Sequence, residues 1–175
     1  MTSSQVDVPP SGRYRIDTER STVSFATRHF FGLAPVRGTF ALRDGMIRVA
    51  DPVRESRVHA RIAASSFRTG NDTRDAAVLS RRLLDAETHP SFTFTATELA
   101  QDRGQWALRG ELEVRGLTRL VEVRISAVSE HDGTLRAAAE VAVDRYDFGI
   151  TAYRGLAARK LTVNLDITAH SESGS

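Results

Sequence analysis

The sequence contains no cysteine, and Lys160 is the only lysine among its 24 basic residues. The absence of cysteine excludes disulfides, thiolate-bound metals and a cysteine nucleophile. No apolar run approaches the roughly 18 residues that a membrane-spanning helix needs, so we expect no stable membrane insertion. The many arginines do not make the chain strongly basic, because 22 acidic residues leave a net charge of +2.

The composition is that of one soluble globular domain. With 175 residues, of which 41% are hydrophobic, the chain is long enough for a core and too apolar for disorder. Its arginines are spread through the strands and alternate with Glu, Asp and Ser, so the sequence predicts no basic stripe and no nucleic-acid partner.

The first twelve residues differ from the rest of the chain. They are polar and contain Pro9, Pro10 and Gly12, which predicts a flexible tail over residues 1–12 and a single domain over residues 13–170. The tail shows no basic region followed by an apolar one, as a secretory signal would, so we expect a cytoplasmic protein.

Along most of the chain, apolar and polar residues alternate with a period of two, which is typical of half-buried β-strands. The most regular segment places on one face Val121, Val123, Ile125 and Ala127. Hairpin turns are predicted at Asp44-Gly45, at residues 115–118 and at His131-Asp132-Gly133. Roughly eight to ten strands with short glycine-containing turns favour an antiparallel barrel or sandwich.

One segment breaks the alternation. Residues 71–86 have apolar side chains at helical spacing, and Asp72 can act as the N-cap of a helix of about four turns. Such a helix is not stable alone. We therefore expect it to pack on the barrel, as a lid over one end or as one wall of a pocket.

The residues in the apolar phase of the strands include many small ones: Thr27, Gly38, Ala60, Ala96, Gly110, Ala127 and Ala139. Small inward residues leave volume that the larger phenylalanines do not fill, which predicts an apolar tunnel inside the barrel. The alternative is a barrel in which strand curvature and close packing remove that space.

Few polar residues are candidates for a site. His29 lies in the inward phase of its strand, where it could bind the head of a ligand or simply be a hydrogen-bonded core residue. Arg74 and Asp75 open the helix, and either could reach the mouth of a pocket or brace the loop. A second dense group, residues 145–150, could plug or line one end of the barrel.

Catalytic and metal-binding motifs are not found. The sequence has no Gly-x-Ser-x-Gly, no P-loop, no dinucleotide fingerprint and no paired histidines at metal-ligand spacing. The sequence therefore predicts neither an enzyme nor a metal site.

An ordered series of short motifs gives the chain a family resemblance. It includes Tyr14-x-Ile16-Asp17, Ser21-x-Val23-x-Phe25, Arg28-His29, Val36-x-Gly38-x-Phe40, Thr69-Gly70-Asn71, Arg74-Asp75, Leu84-Asp85, His89-Pro90-x-x-x-Phe94, Gly110-x-Leu112-x-Val114-x-Gly116-x-Thr118-Arg119 and Asp147-Phe148-Gly149-Ile150. In this series the chain resembles the YceI-like family of bacterial lipocalin-like polyisoprenoid-binding proteins. Arg20 departs from the pattern, since the family commonly has a histidine there.

The resemblance implies an all-β fold, an extended eight-stranded antiparallel lipocalin-like barrel with one short helix between strands. It implies a hydrophobic tunnel for a polyisoprenoid, an isoprenoid quinone or a fatty-acid-like lipid, and a role as a carrier, storage or transport protein. No cofactor is expected, and a homodimer is left open. The ligand-binding residues would be Phe25, His29, Phe40, Arg74, Phe92 and Phe94. Two alternatives stay open: an enzyme acting on a bound apolar substrate such as a quinone precursor, and a filled-barrel, stress-related interaction module.

Overall fold

A computed structural model describes residues 6–27, 35–153 and 158–172. These residues form nine β-strands, one α-helix and two 3₁₀ turns, at Val53–Glu55 and Arg145–Phe148. The strands are β1 (Gly12–Ile16), β2 (Thr22–Thr27), β3 (Val36–Val49), β4 (Arg57–Arg68), β5 (Ser91–Asp102), β6 (Gln105–Val114), β7 (Leu117–His131), β8 (Thr134–Asp144) and β9 (Lys160–Ser171). The helix, α1, covers Asp72–Leu79, and no helix among the described residues is long and apolar enough to cross a bilayer.

The nine strands form a closed antiparallel barrel with eight positions. β1 and β2 occupy the same position, because each of them pairs with β3 on one side and with β9 on the other. From there the order continues through β8, β7, β6, β5 and β4, and β4 pairs with β3 to close the barrel. The predicted all-β, eight-stranded antiparallel barrel with one helix between strands is confirmed.

The two ends of the barrel are covered by different segments. Residues 69–90, which include α1, and residues 145–153 lie at the end that we call the helix end. Residues 6–11 and 50–56 lie at the opposite end, which we call the tail end. The N-terminal segment crosses the tail end to β7, where Val6 bridges Val128 and the Asp7 amide donates to the Val128 carbonyl over 3.0 Å.

Two of the predicted hairpin turns have the positive φ angles that a two-residue turn requires. Asp132 and Gly133, between β7 and β8, both have positive φ, at 49° and 81°, as a two-residue hairpin turn of type I′ requires. Arg115 and Gly116 do the same between β6 and β7, with φ of 53° and 78°. The second turn is therefore shorter than the predicted residues 115–118, since β7 already begins at Leu117.

The predicted hairpin turn at Asp44-Gly45 is wrong. β3 runs without interruption through both residues, because its first half pairs with β2 and its second half with β1. Gly45 has no positive φ. It allows a close approach instead, since a Cβ at this position would overlap the side chain of Ile16.

The helix is shorter than predicted and has a different cap. It ends at Leu79 rather than at residue 86, because Ser80 adopts an extended backbone and its hydroxyl donates to the Ala77 carbonyl over 2.6 Å. Asn71, not Asp72, is the N-cap, and its side-chain oxygen accepts from the Arg74 amide over 2.9 Å. Residues 80–89 continue as turns, whose apolar members Leu83 and Ala86 are buried against the barrel.

Of the seven small residues predicted to leave internal space, only Ala60 and Ala139 line the internal cavity, and for two of the other five the structure gives the reason. Ala127 is exposed, because an irregularity in the β7–β8 register between Ile125 and Ala127 turns Val128 inward in its place. Gly38 faces inward, but the ring of Phe25 occupies the position of its missing side chain.

The backbone of β5 lies too close to Gly110 on β6 to leave room for a side chain, which predicts a loss of stability on substitution. A Cβ at this position would lie 2.7 Å from the Ala96 Cα and still closer to the Thr95 carbonyl oxygen, and neither backbone atom can rotate away. We expect Gly110→Ala to lower the free energy of unfolding by about 1–3 kcal/mol, measured by urea denaturation. Gly45→Ala is the matched control, with a smaller expected loss because its nearest obstacle is the end of a side chain. A larger loss for Gly45→Ala would contradict this account.

Candidate functional site

The barrel encloses a cavity of about 300 Å³. Every strand from β1 to β9 contributes to its wall, and nearly all of the lining side chains are aliphatic or aromatic. Among the residues that the structure describes, only two polar ones take part, Ser56 at the tail end and Arg145 at the helix end. The interior of the barrel is therefore an almost purely apolar compartment.

The cavity follows from the period-two pattern of the strands. Inward positions carry mostly Val, Leu and Ile, while Ala60, Ala137 and Ala139 supply short side chains where the space widens. Ala60 and Ala139 were predicted from the sequence to leave internal volume, and both lie on the cavity wall. The presence of this space argues against a barrel packed solid.

Four phenylalanines form a cluster in the half of the barrel nearer the helix end. Phe25 stacks on Phe67 with ring centroids 5.2 Å apart, and Phe40 lies 5.5 Å from both. Phe92 meets Phe40 edge to face at 5.3 Å. Such geometry adds roughly 0.5–1.5 kcal/mol per pair beyond burial, so the cluster forms a firm floor for the cavity.

The structure brings together four of the six predicted ligand-binding residues. Phe25, Phe40, Phe92 and Phe94 all line the cavity, as the inward phase of β2, β3 and β5 requires. His29 lies outside the described residues. The contact of any of these side chains with a ligand remains a prediction.

Arg74, the sixth predicted residue, lies in the first turn of α1 and is not part of the cavity wall. Its Nε donates to the Thr69 hydroxyl over 2.9 Å. The Asp75 carboxylate accepts from the Thr69 hydroxyl over 2.5 Å and from the Thr69 amide over 3.1 Å. Both residues therefore brace the junction between β4 and α1.

These contacts give the junction a pH dependence. The hydrogen bond from the Thr69 hydroxyl, with the Thr69 amide and the Arg74 charge, holds the pKa of Asp75 below its ordinary value despite partial desolvation. A carboxylate with a lowered pKa in the folded state stabilises the fold above its unfolded pKa, and this stabilisation is lost as the pH falls through the folded pKa.

We expect Asp75→Asn to reduce stability at pH 7 and to have less effect at pH 3, because pH 3 lies below the ordinary pKa of an aspartate in the unfolded chain and part of the stabilisation is already lost there. Urea midpoints at the two pH values measure this difference. Asp72→Asn is the control, because Asp72 lies in the same helical turn and makes no hydrogen bond to a described side chain or backbone group. An equal pH dependence for the two variants would contradict the assignment.

Arg145 closes the helix end. Its side chain is buried, and it donates from Nε to the Ala158 carbonyl over 2.8 Å and from Nη1 to the Ile150 and Ala152 carbonyls over 2.9 and 2.7 Å. These bonds hold the segment after β8 across the barrel, where Phe148 and Ile150 line the cavity.

The role of Arg145 was not predicted individually, although a signal for it exists. Val141 and Val143 point inward on β8, and the period of two puts Arg145 next on the same face. An arginine at an inward position is a charged group that must find partners, and here they are backbone carbonyls.

The tail end is closed by two segments. Pro9 from the N-terminal segment and Val53 from the 3₁₀ turn both line the cavity. The buried hydroxyl of Tyr14 donates to the Pro10 carbonyl over 2.8 Å, which fixes the N-terminal segment to β1. The Ser56 hydroxyl accepts from the Ala50 amide over 3.0 Å and holds the loop between β3 and β4.

The arrangement suits the burial of an apolar molecule. The two polar groups on the cavity wall, in Ser56 and Arg145, are engaged with the backbone. Among residues 6–27, 35–153 and 158–172, no group of three or more His, Asp or Glu side chains could hold a metal ion.

Comparisons with known proteins agree with this geometry. The model of the YceI-like domain matches residues 14–169. A UPF0312 protein of Pectobacterium carotovorum is 27% identical over 159 residues, covering 86% of this chain and 82% of the relative. Protein YceI of Escherichia coli O157:H7 is 27% identical over 163 residues, covering 88% and 84%.

Two solved structures share the fold. Burkholderia cenocepacia BcnA superposes with a TM-score of 0.75 at 18% identity, over 87% of this chain and 98% of that one. A polyisoprenoid binding domain from Saccharophagus degradans, implicated in plant cell wall breakdown, gives a TM-score of 0.70 at 14% identity, over 93% and 100%. At these identities the likeness shows the fold alone.

Proposed function

The chain belongs to the YceI-like family, and we propose that it binds a polyisoprenoid or similar lipid chain inside the barrel and acts as a carrier, storage or transport protein. The observation that carries this proposal is the cavity of about 300 Å³ with an almost purely apolar wall. The name of the Saccharophagus degradans domain, which describes it as polyisoprenoid binding, supports the choice of ligand class.

The physical driving force would be the burial of chain carbons. Each methylene group removed from water contributes about 0.8 kcal/mol, so one five-carbon isoprene unit contributes about 4 kcal/mol before the cost of ordering the chain. A wall without free polar groups gains nothing from binding water. It therefore favours an apolar occupant over a polar one.

The same wall argues for a carrier over an enzyme. A charged or strongly polar reacting group would have to leave water without a partner inside the cavity, at a cost of several kcal/mol. In our proposal Phe25, Phe40, Phe92 and Phe94 contact the chain, and the two covered ends open to admit it.

Native mass spectrometry of the purified protein, before and after organic extraction, tests the proposal. We expect an added mass that extraction removes, and renewed binding when a prenyl alcohol is supplied in detergent. The same spectra report whether the protein forms a homodimer. A protein that carries no lipid from its host and takes up no prenyl or fatty-acid chain would contradict the proposal.

A further inference from the structure

Strand register places three arginines side by side on the outer wall of the barrel. Arg48 on β3 is directly opposite Arg13 on β1 and also opposite Arg57 on β4. All three residues are exposed. None forms an ion pair with another residue of the described parts of the chain. We call this row the arginine ladder.

The rest of the barrel wall is arranged differently. In four other pairs the register sets an arginine opposite a carboxylate: Arg61 with Asp44, Arg109 with both Glu98 and Glu122, and Arg124 with Glu140. Like charges directly opposite each other weaken a sheet, whereas opposite charges stabilise it. The arginine ladder thus has a cost in stability that the other pairs avoid, and an anionic partner outside the chain would remove that cost.

The arginine ladder lies beside the covered tail end of the cavity. Next to it is a groove lined by Arg48, Arg54 and Arg57, and this groove shares Val53 and Leu99 with the cavity wall. Val53 of the 3₁₀ turn and Leu99 of β5 therefore lie between the groove and the apolar interior.

The charge balance of this region is positive. Glu55 and Glu98 also line the groove. Glu98 lies 3.7 Å from Arg109, however, and the positive charge of Arg109 offsets its negative charge. Glu55 and the exposed Asp51 of the same loop are outnumbered by four arginines, three in the ladder and Arg54 on the loop.

An apolar side chain is exposed at the same end. Val8 is 56% exposed, and it directly precedes Pro9, which lines the cavity. A basic row and an exposed apolar residue at the same end of the barrel are the composition of a surface that contacts a lipid headgroup layer.

We propose that the tail end docks on the surface of an anionic phospholipid bilayer through the arginine ladder. Guanidinium groups bind phosphate through two parallel hydrogen bonds. Three adjacent strands span about 10 Å, which suits a surface carrying many phosphates better than a single small anion. Docking in this way would bring the covered tail end of the cavity against the bilayer, where an apolar cargo is dissolved.

The proposal goes beyond cargo binding, because it states where the cargo is exchanged and can be measured with the empty protein. The experiment is co-sedimentation with two kinds of vesicle. One contains phosphatidylcholine with about 30 mol% phosphatidylglycerol, which makes a moderately anionic surface, and the other contains phosphatidylcholine alone. The test variant is Arg48→Gln/Arg57→Gln. The control is Arg124→Gln/Arg136→Gln, which removes the same charge from exposed positions on β7 and β8.

We expect the wild type to bind the anionic vesicles only, and the ladder variant to bind about 25-fold more weakly, at roughly five-fold per arginine. The control variant should keep most of its binding, and the ladder variant should take up a prenyl alcohol from detergent as the wild type does. Urea midpoints check that both variants are folded.

Three results would overturn the proposal. The first is a wild type that does not bind anionic vesicles at low salt, and the second is an equal loss of binding in both double variants. The third is unchanged vesicle binding by the ladder variant with impaired uptake of a prenyl phosphate, which would assign the arginines to the head of the cargo. Failure of all cargo uptake would instead contradict the proposed function and leave the vesicle result standing.

Discussion

Ala139→Phe is expected to abolish, or nearly abolish, uptake of a prenyl chain. Ala139 lies on β8 and lines the cavity, so a phenyl ring at this position projects into the space that the ligand would fill. Displacing only three chain carbons costs about 2.4 kcal/mol, or roughly 60-fold in affinity. The measurement is the affinity of the extracted protein for a prenyl alcohol in detergent.

Ala138→Phe is the matched control for this experiment. Ala138 is the neighbouring residue on the same strand, but it pairs with Ala127 and Asp166 and is not part of the cavity wall. The control should bind the prenyl alcohol as the wild type does. Ala139→Leu, a smaller plug, should give an intermediate affinity. Equal affinity for Ala138→Phe and Ala139→Phe, with both variants folded, would show that the ligand lies elsewhere.

Arg145→Met is expected to produce the largest loss of stability. The side chain is 8% exposed, and it satisfies the carbonyls of Ile150, Ala152 and Ala158. Each buried carbonyl left without a donor costs about 1–3 kcal/mol, so we expect a loss of about 3 kcal/mol or more. The urea midpoint measures this loss, and hydrogen exchange of residues 145–153 should rise with it.

Arg159→Met provides the comparison. Arg159 pairs with Asp144 over 2.8 Å, but its side chain is largely exposed, and such an ion pair contributes at most about 1 kcal/mol. If the two substitutions lowered stability equally, Arg145 would not be the residue that closes the helix end.

The strands and turns of the barrel could be predicted because each depends on residues that are close together in the sequence. Alternation along β5, β6, β7 and β9 follows from side chains that point to opposite faces of a strand. The turn at Asp132-Gly133 follows from the backbone that those two residue types adopt readily. The aromatic residues of the cavity wall were found in the same way, from the phase of their strands.

The errors arose where distant parts of the chain decide the outcome. Asp44-Gly45 has the composition of a turn, but both residues pair with β4, and β3 pairs with β2 before them and with β1 after them, so they stay within one strand. Ala127 follows the alternation in sequence, and only a register irregularity with β8 turns it outward. The helical spacing to residue 86 persists beyond Leu79 because the following turns also bury their apolar side chains.

The arginine ladder is a charge cluster that also could not be predicted from the sequence. In the sequence, Arg13, Arg48 and Arg57 are separated by other residues and appear as parts of an evenly mixed charge pattern. The sequence alone does not reveal this row, because only the register of β1, β3 and β4 brings the three arginines together.

The most direct test of lipid binding in the barrel is a crystal structure of the extracted protein incubated with a long prenyl alcohol. The account predicts continuous density for the chain inside the cavity, between the phenylalanine cluster and the tail end, in contact with Phe94 and Ala139. An empty or collapsed cavity, with the prenyl chain absent or bound on the outer surface, would contradict it.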